Sequence, residues 1–270
     1  MRRLSFDEDI ALRPVGGGTY EGEIHGGWWT PRGPLGGYVM ALMLNAFQHE
    51  VGDAARPPRA ATMHFLRSPT EGPATIRATV ERAGRAVTSV SGRLEQGGKL
   101  MGLALGAYST AWESPLLEEE PMPEVEPPDG RMTTGGRSVP DIVPPPFVER
   151  TVFQRRFGPP LFSGGDRAEV GGWVGMREER PLDALAVTML ADAWFPAPWS
   201  RLRALAAAPT IDLTVHFRAP LPIADGLLLG RFRSPLVRDG FFVEDGELWA
   251  PDGTLVAQSR QLALLIGAEV

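Results

Sequence analysis

Apolar residues recur along two stretches of the chain with the 3.6-residue period of a helix, and along several others with the two-residue period of a strand. In the first half, a Gly-Gly pair opens a mostly apolar run over residues 37–49, which predicts a helix. A strand follows over 59–69, and long strand material runs over 74–108, broken by a turn at Gln96-Gly97-Gly98. The second half repeats the order: a helix over 182–195, a strand over 210–220, then strand material over 227–266 with a turn at Pro251-Asp252-Gly253. Between them, residues 114–147 are rich in Pro, Glu and Gly and carry little periodicity, which predicts an extended linker. The chain therefore divides into units 1–113 and 148–270 joined by 114–147.

A local signature supports duplication. Thr62-x-His64-Phe65 in the first half is matched by Thr214-x-His216-Phe217 in the second, each followed at similar distance by a Gly-rich turn. A helix that is apolar nearly all round must be covered on most sides. A strongly curved antiparallel sheet wrapped around it does this. The expectation is an α+β fold of two tandem units, two curved antiparallel sheets each wrapped around a long central helix, with the sheets joined edge to edge, a pairing that also satisfies exposed edge strands.

One position breaks the apolar pattern. The helix-like run 184–200 contains a single ionisable residue, Asp192, and steps of three and four residues from it reach Thr188, Met189, Phe195 and Pro196. Placing a carboxylate on such a stripe costs several kcal/mol unless partners or a raised pKa offset the cost. A group held that way is a candidate general base, with a salt-bridged core Asp as the alternative.

Composition narrows the field of functions. The 270 residues include 43% hydrophobic and 22% charged, enough for a sizeable core, and the net charge is −6. With no block of Lys or Arg, a nucleic-acid or anionic-membrane surface is not expected. There is no cysteine, which excludes thiol catalysis, thiolate metal sites and disulfides. His25, His49, His64 and His216 show no metal-ligand spacing, so no metal and no cofactor is expected. Apolar runs are broken by Pro or Gly before about 18 residues, and the start MRRLSFDEDI has no apolar core of a signal peptide. A cytoplasmic enzyme or binding protein is the default expectation.

Three second-half segments, LADAWFP (190–196), TIDLTVHF (210–217) and PDGTLVAQSRQ (251–261), resemble those of the acyl-CoA thioesterase II family, whose fold is the tandem, or double, hotdog. GPLGGYVMALMLNA and HFLRSP in the first half are similar to family segments as well. The resemblance implies that Asp192, Thr210 and Gln261 together hold a hydrolytic water, and that the substrate is an acyl-CoA. Tyr38 departs from the pattern, because many relatives carry Gln after the Gly pair.

Strict alternation places Thr210 on one strand face with Asp212, Thr214 and His216, and Thr214 is the runner-up there. Gln261 alternates with Ala257, Ser259 and Ala263, so its amide wants internal partners, while Gln258 falls on the other face. The alternatives are a turn-capping Thr and a core amide. Gly36 and Gly37, with Tyr38, lead the first helix and offer unsatisfied N–H groups to an oxyanion, the alternative being a plain turn. Eight residues beyond Gly37 lies Asn45, and eight beyond Ala184 lies Asp192, so only the second copy carries a base. Met40, Met43, Leu44, Met189 and Trp194 are candidates for an acyl pocket or plain core. Trp28 and Trp29 form an aromatic loop that closes over an acyl chain or packs beneath it, and Arg82 and Arg85 are candidate phosphate partners or solvated charges.

The leading expectation is a metal-independent hydrolase that converts an acyl-CoA to free acid and CoA, assembled as a homo-oligomer. The alternatives are a non-catalytic acyl-CoA binding protein and a hotdog enoyl-CoA hydratase, although no DxNPxH pattern is present.

Overall fold

The computed structural model describes residues 5–119, 121–129, 144–224 and 226–268. In the first half, helix α1 (Phe6–Asp9) leads into β1 (Arg13–Gly16), β2 (Thr19–Ile24), the short pair β3 (Trp29–Thr30) and β4 (Gly33–Pro34), and helix α2 (Gly36–Val51). Strands β5 (Pro58–Phe65), β6 (Gly72–Ala83), β7 (Thr88–Gln96) and β8 (Lys99–Tyr108) complete it. The second half contains β9 (Thr151–Phe157), β10 (Glu169–Met176), helix α3 (Ala184–Leu190) and β11 (Thr210–Phe217). It ends with β12 (Leu227–Arg233), β13 (Val237–Arg238), β14 (Phe241–Trp249) and β15 (Leu255–Leu264).

Apart from β3 and β4, the strands form one antiparallel sheet in the order β1-β2-β6-β7-β8-β5-β11-β15-β14-β12-β10-β9, with β13 paired to β14. The two expected sheets thus run into one another through β5 and β11. Reading outward from that junction gives β5-β8-β7-β6-β2 on one side and β11-β15-β14-β12-β10 on the other, the same order of pairing twice. The repeated sequence signature lies at the junction itself. Thr62 pairs with Thr214 in the register, and their hydroxyls meet at 2.9 Å.

Helix α2 is apolar and buried from Gly37 to Leu44, reaches the surface in its last turn at His49, and packs against α3 and against β2, β5–β8 and β11. It ends at Gly52, whose left-handed φ of 60° fits a glycine after the last turn. The two helices are unequal: α2 has 16 residues and α3 only seven. The second helix therefore stops short of the expected 182–195, and of the helix-like run to residue 200. A proline sets its outer limit, and the chain leaves the helix before reaching it. Pro196 disfavours helical backbone at Phe195, and the chain leaves α3 through i→i−3 bonds from Asp192 to Met189 and from Ala193 to Leu190, both 3.2 Å. A 3₁₀ turn at Ala197–Ser200 follows.

In the segment between the halves, residues 121–129 carry neither helix nor strand. They are nonetheless docked: Met122 and Val125 pack against a cluster of Trp173, Leu229 and Trp249, and the Glu126 carbonyl accepts from Trp173 Nε1 at 2.9 Å. Of the rest of the expected linker, 114–119 are exposed and carry neither helix nor strand, 144–147 run into a 3₁₀ turn at Pro146–Arg150, and 120 and 130–143 lie outside the described residues. Among the described residues no helix is long and apolar enough to cross a membrane.

Candidate active site

Asp192 lies in the turn just after α3, and its carboxylate crosses to the start of α2. Oδ2 accepts the Gly37 N–H at 2.7 Å, and the Gly36 amide donates to the same carboxylate. Helix α2 has no local cap, because Leu35 stands at the N-cap position without a side chain able to accept. A residue 155 positions away in sequence supplies the missing acceptor. The positive end of α2 and two N–H donors favour the anion. Burial works against it and wins, raising the Asp192 pKa to about 6.

The approach is close enough to require glycine. A Cβ on Gly37 would lie 2.8 Å from Asp192 Cβ and from the Met189 carbonyl oxygen. On Gly36 it would lie 3.0 Å from Asp192 Oδ2 and 3.1 Å from the Phe65 ring. Gly36, Phe65, Asp192 and Thr210 keep partial access to solvent, whereas Gly37, Met189 and the neighbouring core are closed off.

Thr210 stands differently from its sequence expectation. The register of β11 against β15 shifts between Thr210 and Asp212: Thr210 pairs with Ala263, and Asp212 with Leu262. This bulge adds one residue and turns Thr210 to the inner face, away from Asp212, Thr214 and His216. On that face its hydroxyl donates to Gln261 Oε1 at 2.9 Å. Thr214 remains outside, bonded to Thr62, and Gln258 pairs outside with His216.

Gln261 is 9% exposed and reaches a residue that alternation alone did not single out. Its Nε2 donates at 3.0 Å to Oε1 of Glu244, which is 2% exposed on β14. The other carboxylate oxygen of Glu244 accepts the Ala197 N–H at 2.6 Å. Burial pushes the Glu244 pKa up to about 7, and the charge of Asp192 adds to the rise. The structure thus brings Thr210, Gln261 and Glu244 into one hydrogen-bonded row, with Asp192 near enough for its charge to act on Glu244. The signal for Glu244 was present in Phe242-x-Glu244-x-Gly246-x-Leu248. It was masked because Phe241 and Val243 make the opposite face look equally apolar.

The other candidates fall elsewhere. The Gly36 and Gly37 amides, expected to face an oxyanion, hold the Asp192 carboxylate. Tyr38 points away: it stacks on Trp28 at 5.4 Å, and its hydroxyl bonds the Asp9 carbonyl at 2.9 Å and takes the His25 N–H at 3.0 Å. Met40, Met43, Leu44 and Met189 are no more than 1% exposed and Trp194 is 8% exposed, all within the continuous core. Asn45 donates to the Ile10 carbonyl at 2.8 Å, and Arg82 and Arg85 lie exposed on the β6–β7 hairpin. Trp28 is buried, its Nε1 bonded to Asp9 at 3.1 Å. Trp29 packs against the core edge.

Two further features belong to the surroundings. A groove of about 810 Å³ is lined by Glu8, Glu21, Glu23 and Glu95 with Arg13, and includes none of Asp192, Thr210 and Gln261. Its mostly acidic wall is a poor seat for an anionic ligand. Among the described residues no group of three or more His, Asp or Glu side chains is arranged to hold a metal ion.

Comparison with known proteins decides the family. Residues 25–111 match the acyl-CoA thioesterase N-terminal domain and residues 118–265 the acyl-CoA thioesterase C-terminal domain. The chain belongs to the acyl-CoA thioesterase family. It is a thioester hydrolase, and its structure resembles hotdog proteins throughout. A hot dog protein of unknown function from Alicyclobacillus acidocaldarius is 26% identical and superimposes with a TM-score of 0.86, over 99% of this chain and 100% of that one. A candidate thioesterase II from Thermobifida fusca is 28% identical with a TM-score of 0.81, over 98% of each chain. An acyl-CoA thioesterase II from Mycobacterium marinum shares the fold at 19% identity and a TM-score of 0.74, over 97% and 98% of the two chains. An uncharacterized protein of Mycobacterium tuberculosis is 27% identical over 96% of the thioesterase and 98% of its own length.

Proposed function

We propose that this thioesterase hydrolyses an acyl-CoA to the free acid and CoA with a water activated by Asp192 and oriented by Thr210 and Gln261. The observation that carries the reading is the state of Asp192. It is a partly accessible carboxylate with a proton affinity raised toward neutrality, held at the start of α2 by the Gly37 amide on Oδ2 and by the Gly36 amide. Thr210 and Gln261, joined on the inner face, supply further polar contacts to that water. As water attacks the thioester carbon, its proton passes to Asp192 and negative charge appears on the thioester oxygen. Protonation weakens the carboxyl's hold on the Gly36 amide at the accessible edge of α2, and the positive end of the helix favours the oxyanion there. Collapse of the intermediate breaks the C–S bond and expels the CoA thiolate, which takes the proton from Asp192 and returns it to the carboxylate form.

The test is thiol release from acyl-CoAs of graded chain length by wild type and Asp192→Asn. The expected loss is about 10²-fold or more in kcat with the fold intact. Wild-type kcat/KM is expected to rise with pH through about 6, as Asp192 loses its proton. Equal rates for the two proteins would remove Asp192 from the mechanism. Saturable acyl-CoA binding without thiol release from any substrate would favour a binding protein instead.

A further inference from the structure

Glu244 sits beside Gln261 in the β14–β15 register, on the same inner face. Its two oxygens are divided between two donors, Ala197 N–H on Oε2 and Gln261 Nε2 on Oε1. A primary amide has a donor end and an acceptor end, whereas a carboxylate can only accept. A carboxylate placed against Gln261 therefore decides which end of that amide faces it. With Nε2 turned toward Glu244, Oε1 is left facing Thr210, and the Thr210 hydroxyl fills it by donating its single proton. Only lone pairs then remain on Thr210 Oγ1 for any further neighbour.

That polarity suits hydrolysis. A water that gives one hydrogen to Asp192 and the other to Thr210 keeps its own lone pairs for the thioester carbon. If Gln261 were turned over, its Nε2 would donate to Thr210, and the freed Thr210 proton would point at the water oxygen and compete for the attacking lone pair. We infer that Glu244 is a positioning residue of the thioesterase, fixing the direction of the Gln261–Thr210 hydrogen bond so that Thr210 accepts from the hydrolytic water. This inference rests on the reading that Asp192, Thr210 and Gln261 surround that water.

Glu244→Gln tests it with almost no change of shape. The Ala197 N–H still requires an oxygen, so the new amide nitrogen must face Gln261 and turn it over. Assays belong near pH 8, above the value of about 7 for Glu244, where the wild-type group only accepts. The expected result is a fall in kcat of about tenfold to a hundredfold, with KM for the acyl-CoA within about twofold and the melting curve preserved. Thr210→Val supplies the readout that a merely structural role would not move. If Glu244 acts through Thr210, adding Glu244→Gln to Thr210→Val costs little further kcat, a strongly non-additive cycle.

Wild-type kcat in Glu244→Gln overturns the inference, and so does full additivity in the cycle. Should Glu244→Gln fail to fold, the exchange Glu244→Gln with Gln261→Glu decides. It returns an acceptor to face Thr210 and is expected to fold with a higher kcat than Gln261→Glu alone, in which two carboxylates face each other. An exchanged protein no more active than Gln261→Glu assigns Glu244 to packing alone. Asp192→Asn separates the layers of the argument. An active Asp192→Asn sinks the water reading itself, whereas an inactive one beside an active Glu244→Gln sinks only this inference.

Discussion

Asp192 carries its charge at a cost to the fold. Its ordinary pKa of 3.8 is raised to about 6, so the native state binds the proton more tightly than the unfolded chain does. The linkage has a definite sign. The protonated carboxyl favours the native state, its contribution is fully present below pH 4, and it is lost as pH rises through 6. A shift of this size corresponds to about 2–3 kcal/mol of destabilisation at pH 8. Asn at this position keeps an oxygen for the Gly36 and Gly37 amides and carries no charge. Asp192→Asn is therefore expected to be more stable than wild type by about 1–3 kcal/mol at pH 8. The gap in denaturation midpoint should narrow below pH 6 and close toward pH 4. A variant less stable than wild type at pH 8 would show that the amide contacts outweigh the desolvation of the charge.

At the scale of elements, the site depends on how closely two helix ends approach. Gly37→Ala puts a methyl within 3 Å of the Thr188 and Met189 carbonyl oxygens, which belong to α3 and cannot rotate aside. The gain in helix propensity, about 1 kcal/mol, is opposed by displacement of α2 from α3, which costs about 1–3 kcal/mol. Gly37→Ala is expected to lower both the melting temperature and kcat, because the amide that holds Asp192 moves with the helix. Unchanged values for both would mean the two backbones are not in contact here. The same scale shows what the sequence could disclose. The order of strands and helices, the two turns and the isolated Asp192 are legible because periodicity and turn residues act locally. The face of Thr210 is not, since a single bulged residue at Ile211 reverses it, and a bulge is set by pairing with β15 rather than by composition. Pro196 marks only an outer limit for α3, and the apolar run conceals its end at Leu190. Glu244 became visible only when the register placed it against Gln261.

For the whole molecule, the two halves are fastened at more than the β5–β11 seam. Asp9 of α1, 7% exposed, meets Arg150 just before β9, 8% exposed, with its Oδ2 bonded to the Arg150 guanidinium and to Trp28 Nε1. His25 closes the group, its Nε2 lying 3.6 Å from Asp9 Oδ1 and its Nδ1 3.3 Å from Arg150. The guanidinium also lies 5.1 Å from the centre of the Trp28 ring. Such a buried pair adds little net stability over an apolar contact, yet removing one member leaves the other charge stranded. Asp9→Asn is therefore expected to cost about 3–5 kcal/mol in urea unfolding, and the added change Arg150→Met to recover much of it. Because one sheet runs through both halves and this ion pair ties them again, the loss should lower a single transition instead of releasing one half. Tryptophan fluorescence, from Trp28, Trp29 and Trp112 in the first half and Trp173, Trp194, Trp199 and Trp249 in the second, reports side-chain packing in both, and circular dichroism reports the sheet throughout. The two signals should fall together in wild type and in Asp9→Asn. Separate midpoints in the variant would show that the sheet junction alone cannot keep the halves cooperative, and that the buried ion pair is what couples them.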